Sequence, residues 1–177
     1  MTVSASRTIL VVDDEENVRR SLHQVLHREG YTVLVAEDAE KALDLLTKHK
    51  VHVLISDQNM PGLSGIDLLK LVGVRHPRVV RIMVTADRDP ETVVRSINES
   101  EVYRFIRKPW DNIMLRVVVY FAFETIQLEE ENRRLLQALR RQLQFVRSLT
   151  QEYPYLAALA QQEEAELLLA QADREGG

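Results

Sequence analysis

Five short aliphatic runs, alternating with segments of helical periodicity, constrain this chain more than any other feature. Ile9 to Val12 is an unbroken aliphatic run, the pattern of a central parallel strand buried on both faces. Glu16 to Glu29 carries Val18, Leu22, Val25 and Leu26 at helical spacing and stops at Gly30. Thr32 to Ala36 reads as a second strand. Ala39 to Lys48 follows as a helix with Ala42, Leu43, Leu45 and Leu46 inward. Val51 to Ser56 predicts a third strand, Ile66 to Val74 a third helix and Val79 to Thr85 a fourth strand. Glu91 to Glu99 predicts a helix with Pro90 near its first turn, and Val102 to Ile106 a fifth strand. Strict alternation requires right-handed crossovers. The expected fold class is therefore α/β, a five-stranded doubly wound parallel sheet, followed by a long helix.

The chemistry-bearing residues fall where these runs end. Asp13-Asp14, Asp57, Thr85 and Lys108 each follow an aliphatic run, so all belong to the carboxyl edge of the sheet. Doubly wound sheets bind ligands at that edge, near the point where strand order reverses. Two carboxylates about 4 Å apart repel by on the order of 4 kcal/mol at an effective dielectric near 20. A domain has only ~5–15 kcal/mol of net stability to set against such terms. The cluster persists if a cation or a lysine offsets it, or if carboxyl pKa values rise. With no cysteine in the chain and no well-placed histidine, oxygen ligands suit a hard ion such as magnesium.

The order and spacing of these residues carry a resemblance. Ile9-Leu10-Val11-Val12-Asp13-Asp14-Glu15, Asp57-Gln58-Asn59-Met60-Pro61-Gly62 with Gly65, Thr85-Ala86 and Lys108-Pro109 together resemble the receiver domain of two-component response regulators. The likeness covers residues 7 to about 124. It implies a flavodoxin-like fold and assigns roles position by position. Asp57 is implied as the phospho-acceptor, a carboxylate nucleophile for a phosphohistidine donor. Asp13, Asp14 and Asp57, with the backbone carbonyl of Asn59, are implied as Mg2+ ligands. Lys108 would pair with Asp57 at rest and with a phosphoryl oxygen afterwards, and Thr85 would donate its hydroxyl to another. Thr85 and Phe105 would form the switch, and Asn59 and Asp87 would tune phosphoryl lifetime. The family's Lys-Pro bond is usually cis. The implied partner is a sensor histidine kinase or a phosphotransfer protein, and the implied enzyme activity is limited to the protein's own phosphorylation and dephosphorylation.

From Asp111, an N-cap candidate, no proline or glycine interrupts the chain until Pro154. If helical throughout, that stretch would reach roughly 60 Å at 1.5 Å per residue. Met114, Val117, Val118, Phe121 and Ala122 suit a last domain helix. Beyond them Leu128, Asn132, Leu135, Leu139, Val146 and Leu149 form a heptad-like stripe, with a second register through Leu136, Leu139, Leu143 and Val146. Two registers suit a helical bundle as well as a two-stranded coil. The expected organisation is a receiver over 1–124, a helical extension over 125–153 and an acidic helical tail over 154–177. A homodimer through the C-terminal helix or the switch face is expected, although a single amphipathic helix folded on its own domain fits the same pattern.

A net charge of -4 argues against nucleic-acid binding by electrostatics alone, and Arg133-Arg134 and Arg140-Arg141 read as solvated helix faces. His23 and His27 likewise read as solvated, and Trp110 as a packing residue. Met1 to Arg7 has no signal-peptide core, and the longest apolar run is too short to cross a bilayer, so a cytoplasmic location is expected. Val102 to Trp110 also looks like receivers joined to AAA+ transcription activators or cyclic-dinucleotide phosphodiesterases. This chain carries neither a G-x-x-x-x-G-K-[ST] loop nor a paired histidine-aspartate motif in its tail. A regulatory piece of a longer effector and a phosphorylation-independent scaffold both remain open as alternatives.

Overall fold

A computed structural model describes residues 7–86 and 102–153, together with Tyr155 and Gln162. The helix expected over 91–99, the lifetime position Asp87 and the tail helix expected from Tyr155 to Ala172 lie outside the described residues, Tyr155 and Gln162 excepted. In chain order the elements are β1 (Thr8–Val12), α1 (Glu16–Arg28), β2 (Thr32–Ala36), α2 (Ala39–Lys48) and β3 (Val53–Asp57). Then follow α3 (Gly65–Arg75), β4 (Val80–Thr85), β5 (Arg104–Arg107) and α4 (Asn112–Glu152). All strand pairs are parallel, in the order β2-β1-β3-β4-β5. The order reverses between β1 and β3, so a crevice opens where these two strands end.

The pleat sorts the core into two layers. Ile9, Val11, Val53, Ile55, Ile82, Val84 and Ile106 face one side, against Leu22, Val25 and Leu26 of α1 and Leu115, Val119, Ala122 and Phe123 of α4. Leu10, Val12, Leu54 and Met83 face the other, against Ala39, Ala42 and Leu46 of α2 and Leu68, Leu69 and Val72 of α3. This two-sided burial is why β1 reads as continuous aliphatics rather than as alternation. Trp110 packs against the first layer and Phe105 against the second.

Among the described residues, three helices start on a side-chain cap. Asp38 accepts from the Lys41 N–H at 2.8 Å, and Ser64 from the Asp67 N–H at 3.2 Å. Asp111 accepts from Ile113 and Met114 N–H at 2.6 and 3.1 Å. Each such cap satisfies an otherwise orphaned donor and contributes about 1 kcal/mol.

In α4 the apolar residues lie on two sides. Leu115, Val119, Ala122 and Phe123 are buried, whereas Met114, Val117 and Phe121, expected to suit the domain helix, are exposed along with Ile113 and Tyr120. Compact units comprise residues 1–128 and 129–177. Within the second, Leu135, Leu136, Leu139, Leu143, Phe145 and Val146 are exposed. Among the described residues no helix is long and apolar enough to cross a membrane.

Gly65 opens α3 where no other residue fits. Its N–H donates to the Gln58 carbonyl at 3.0 Å, and a Cβ there would collide with the main-chain carbonyl of Asp57. Gly65→Ala must therefore shift the Asp57–Gln58 peptide rather than a flexible side chain. We expect a loss of about 2–3 kcal/mol in denaturant unfolding, the upper range of overpacking. An unchanged unfolding midpoint would contradict that close approach.

Candidate functional site

Each strand of the crevice ends by handing over one polar residue. Val12 pairs with Ser56, so the next residues, Asp13 and Asp57, leave adjacent strands at the same level. Thr85 pairs with Arg107, which brings Lys108 round from β5 to the same edge, and the Lys108 N–H donates to the Thr85 carbonyl at 2.8 Å. The Lys108-Pro109 peptide is cis. Gly62, with φ of 79°, takes the left-handed conformation in the loop after Asp57 that other residues resist.

The Lys108 ammonium lies 2.6 Å from Asp57 Oδ1 and 2.9 Å from Asp13 Oδ2, with Glu15 Oε1 at 3.7 Å. The second oxygen of each main partner is taken by the backbone. Asp13 Oδ1 accepts from the Glu15 N–H at 2.9 Å, and Asp57 Oδ2 from the Asn59 N–H at 2.7 Å. Side-chain exposure is only 17% for Lys108, 7% for Asp57 and 1% for Asp13, so these are weakly screened charges. Burial raises the Asp13 pKa; hydrogen bonds from Lys108 and the Glu15 N–H oppose the rise without cancelling it. Burial works against the Lys108 ammonium too, but hydrogen bonds to Asp57 and Asp13 prevail and its pKa is raised. The lysine is held charged between two carboxylates.

The structure brings Asp13, Asp57, Thr85 and Lys108 of the sequence-derived set to one edge. Thr85 is buried there, and Asp14 and Asn59 are exposed at its rim. Asp13, Asp14 and Asp57 do not form a ready-made ligand group: among the described residues no three side chains of His, Cys, Asp or Glu stand together as one. An ammonium occupies the space between the two carboxylates instead. The donor chemistry nevertheless suits a hard cation, since every candidate ligand is oxygen. Magnesium retains several waters and needs few protein ligands.

One contributor escaped the sequence reading. Arg19, on α1, donates through Nη1 to the carbonyl of Asp13 at 2.6 Å and to that of Asp14 at 2.9 Å. An arginine early in an amphipathic helix looks like any solvated cation, so only its spacing from the acidic pair could have singled it out. His23 and His27 stack on each other, with ring centroids 5.4 Å apart, and belong to no metal-holding group among the described residues.

Comparison with known families matches residues 9–120 to the response regulator receiver domain. The chain belongs to that family. This receiver is 38% identical over 128 residues to the hydrogenase transcriptional regulatory protein HoxA of Cupriavidus necator, covering 72% of this chain and 26% of that protein. It is 30% identical over 146 residues to a cyclic di-GMP phosphodiesterase of Thermotoga maritima, covering 82% and 39%. Among solved structures it resembles the signal receiver domain of an HD domain-containing protein from Pseudomonas fluorescens. There the TM-score is 0.67 and the identity 35%, covering 70% of this chain and 98% of the other. The receiver thus spans about a quarter of the regulator's length and two-fifths of the phosphodiesterase's.

Proposed function

We propose that this receiver takes a phosphoryl group onto Asp57 from the phosphohistidine of a kinase or phosphotransfer protein and passes the change of state onward through its switch residues and α4. The observation that carries the reading is the Lys108 ammonium shared between Asp57 and Asp13 at the reversal of strand order. Asp57 is the nucleophile. One of its oxygens attacks phosphorus, the P–N bond breaks, and the imidazole leaves. Mg2+, held by Asp13, Asp14, Asp57 and the Asn59 carbonyl with water, would neutralise phosphoryl charge. Lys108 is already paired to the acceptor and turns to a phosphoryl oxygen as charge builds there. The Thr85 hydroxyl supplies a second donor, and Phe105, half-buried on β5, takes up the space Thr85 leaves. A two-state element biased by one local charge change follows. The chain acts as a signalling module whose chemistry is confined to its own acceptor.

The partner we assign to α4 is a second copy of the chain. The exposed Leu135, Leu136, Leu139, Leu143 and Val146 are spaced for helix pairing, and Asn132 at a seam position favours a defined register. The relatives favour a second reading, in which the receiver regulates a longer effector, because the matched part is only 26% and 39% of their lengths. The mass of the protein isolated from its source cells separates the two.

Acetyl phosphate with magnesium tests the main reading. Wild type should gain one phosphoryl mass, gain none when EDTA is present during the reaction, and change its light-scattering mass on labelling. No gain, under conditions that label a control receiver, would sink the proposal.

A further inference from the structure

We propose that Arg19 is a positioning residue for cation capture at the acidic pair, acting through hydrogen bonds to the main chain rather than through its charge. The inference rests on the phospho-acceptor reading of the site and concerns how its cation-binding loop is held. Asp13 and Asp14 leave β1 in a short turn before α1, and their carboxylates are useful only if the two peptide units keep their orientation. One guanidinium nitrogen fixes both: Arg19 Nη1 donates to the carbonyls of Asp13 and Asp14 at 2.6 and 2.9 Å. The turn is also held by the Glu15 N–H, which donates to Asp13 Oδ1 at 2.9 Å, and by the Asp13 N–H, which donates to the Ala36 carbonyl at 3.3 Å, but neither reaches the Asp14 carbonyl. The guanidinium therefore closes a cycle from α1 back to the strand end.

Arg19 makes no ion pair with a carboxylate among the described residues, so its charge is not spent on a neighbouring side chain. It is half-buried on α1, and its planar fork lets one nitrogen reach two carbonyls. Groups that orient ligands without touching the ion typically change metal affinity ten- to a hundredfold when removed. A loop that must gather a cation around a resident lysine is a setting in which such pre-organisation counts.

Three variants of the full chain test this, each titrated calorimetrically with MgCl2 and melted without metal. Arg19→Ala should weaken Mg2+ binding by about tenfold or more. Arg19→Gln, which keeps an amide donor without charge, should retain more affinity than Arg19→Lys, which keeps charge on a non-planar head. Raised magnesium should restore labelling of Arg19→Ala by acetyl phosphate, as a positioning role requires. Mg2+ affinity within twofold of wild type for Arg19→Ala would overturn the proposal. So would full rescue by Arg19→Lys with none by Arg19→Gln, since charge alone would then suffice. If Arg19→Ala does not fold, the Gln and Lys comparison decides by the same criteria. A wild type that binds Mg2+ but takes no phosphoryl group defeats the acceptor reading alone, whereas equal Mg2+ binding by wild type and Arg19→Ala defeats only the role of Arg19.

Discussion

Asp57→Asn should take up no phosphoryl group from acetyl phosphate and magnesium while unfolding within about 1 kcal/mol of wild type. The first half follows from the proposed chemistry, since an amide oxygen is no nucleophile at phosphorus and the neighbouring Ser56 hydroxyl is buried and donates to the carbonyl of residue 57 at 3.0 Å. The second half follows from the contacts. Asparagine keeps an oxygen for the Asn59 N–H, now at 2.7 Å from Asp57 Oδ2, and Lys108 keeps Asp13 at 2.9 Å. Asp13 also loses a like-charged neighbour that now pushes its pKa upward. The lost Asp57–Lys108 pair and the relieved repulsion work in opposite directions. Intact mass spectrometry and chemical unfolding check the two halves separately. Continued labelling would move the acceptor elsewhere, and a fall of several kcal/mol would mean that Lys108 depends on Asp57 far more than on Asp13.

Lys108→Met should cost more in stability than any other single change in the site. It leaves the Asp13 and Asp57 carboxylates buried and facing one another without their cation. Removing one partner of a buried, hydrogen-bonded ion pair typically destabilises by ~3–5 kcal/mol. We expect about 3 kcal/mol without metal, since the rim admits some water. Two further measurements make the assignment sharp. Magnesium should return part of the loss by standing where the ammonium stood, and Lys108→Met/Asp57→Asn should be more stable than Lys108→Met alone. A single variant as stable as wild type, or a double variant less stable than the single, would refute the electrostatic account.

The strands were legible because they are buried on both faces, which leaves an aliphatic signature few other elements share. Their edges were less so. Val51 and Val102 are buried and read as strand, yet the ladder begins at Val53 and Arg104, because hydrophobicity reports burial and not pairing. The convergence of Asp13, Asp57, Thr85 and Lys108 was legible for a geometric reason: in an all-parallel sheet every strand ends on the same edge. Which oxygen faces which donor was not, since this depends on two loops, the turn after β1 where Arg19 and the Glu15 N–H donate and the loop after β3 where the Asn59 N–H donates. The two sides of α4 were equally hidden. Met114, Val117 and Phe121 are as apolar as Leu115, Val119 and Phe123, and only the position of the sheet decides which set is covered.

The complete pairing of Asp13 and Asp57, one oxygen on Lys108 and one on the main chain, has a consequence for how the proposed site meets its cation. Among the described residues, nothing at the crevice resembles an open bowl waiting to be filled. Under the proposed function, a divalent ion arriving there would share these carboxylates with a resident ammonium, and its apparent affinity would be set against that ammonium's hold rather than by the ligands alone. Such a site is coherent before any ion or phosphoryl group arrives. On that reading its response would be a contest for shared oxygens, in which small changes to the lysine's hold would reset the magnesium concentration at which the receiver becomes competent.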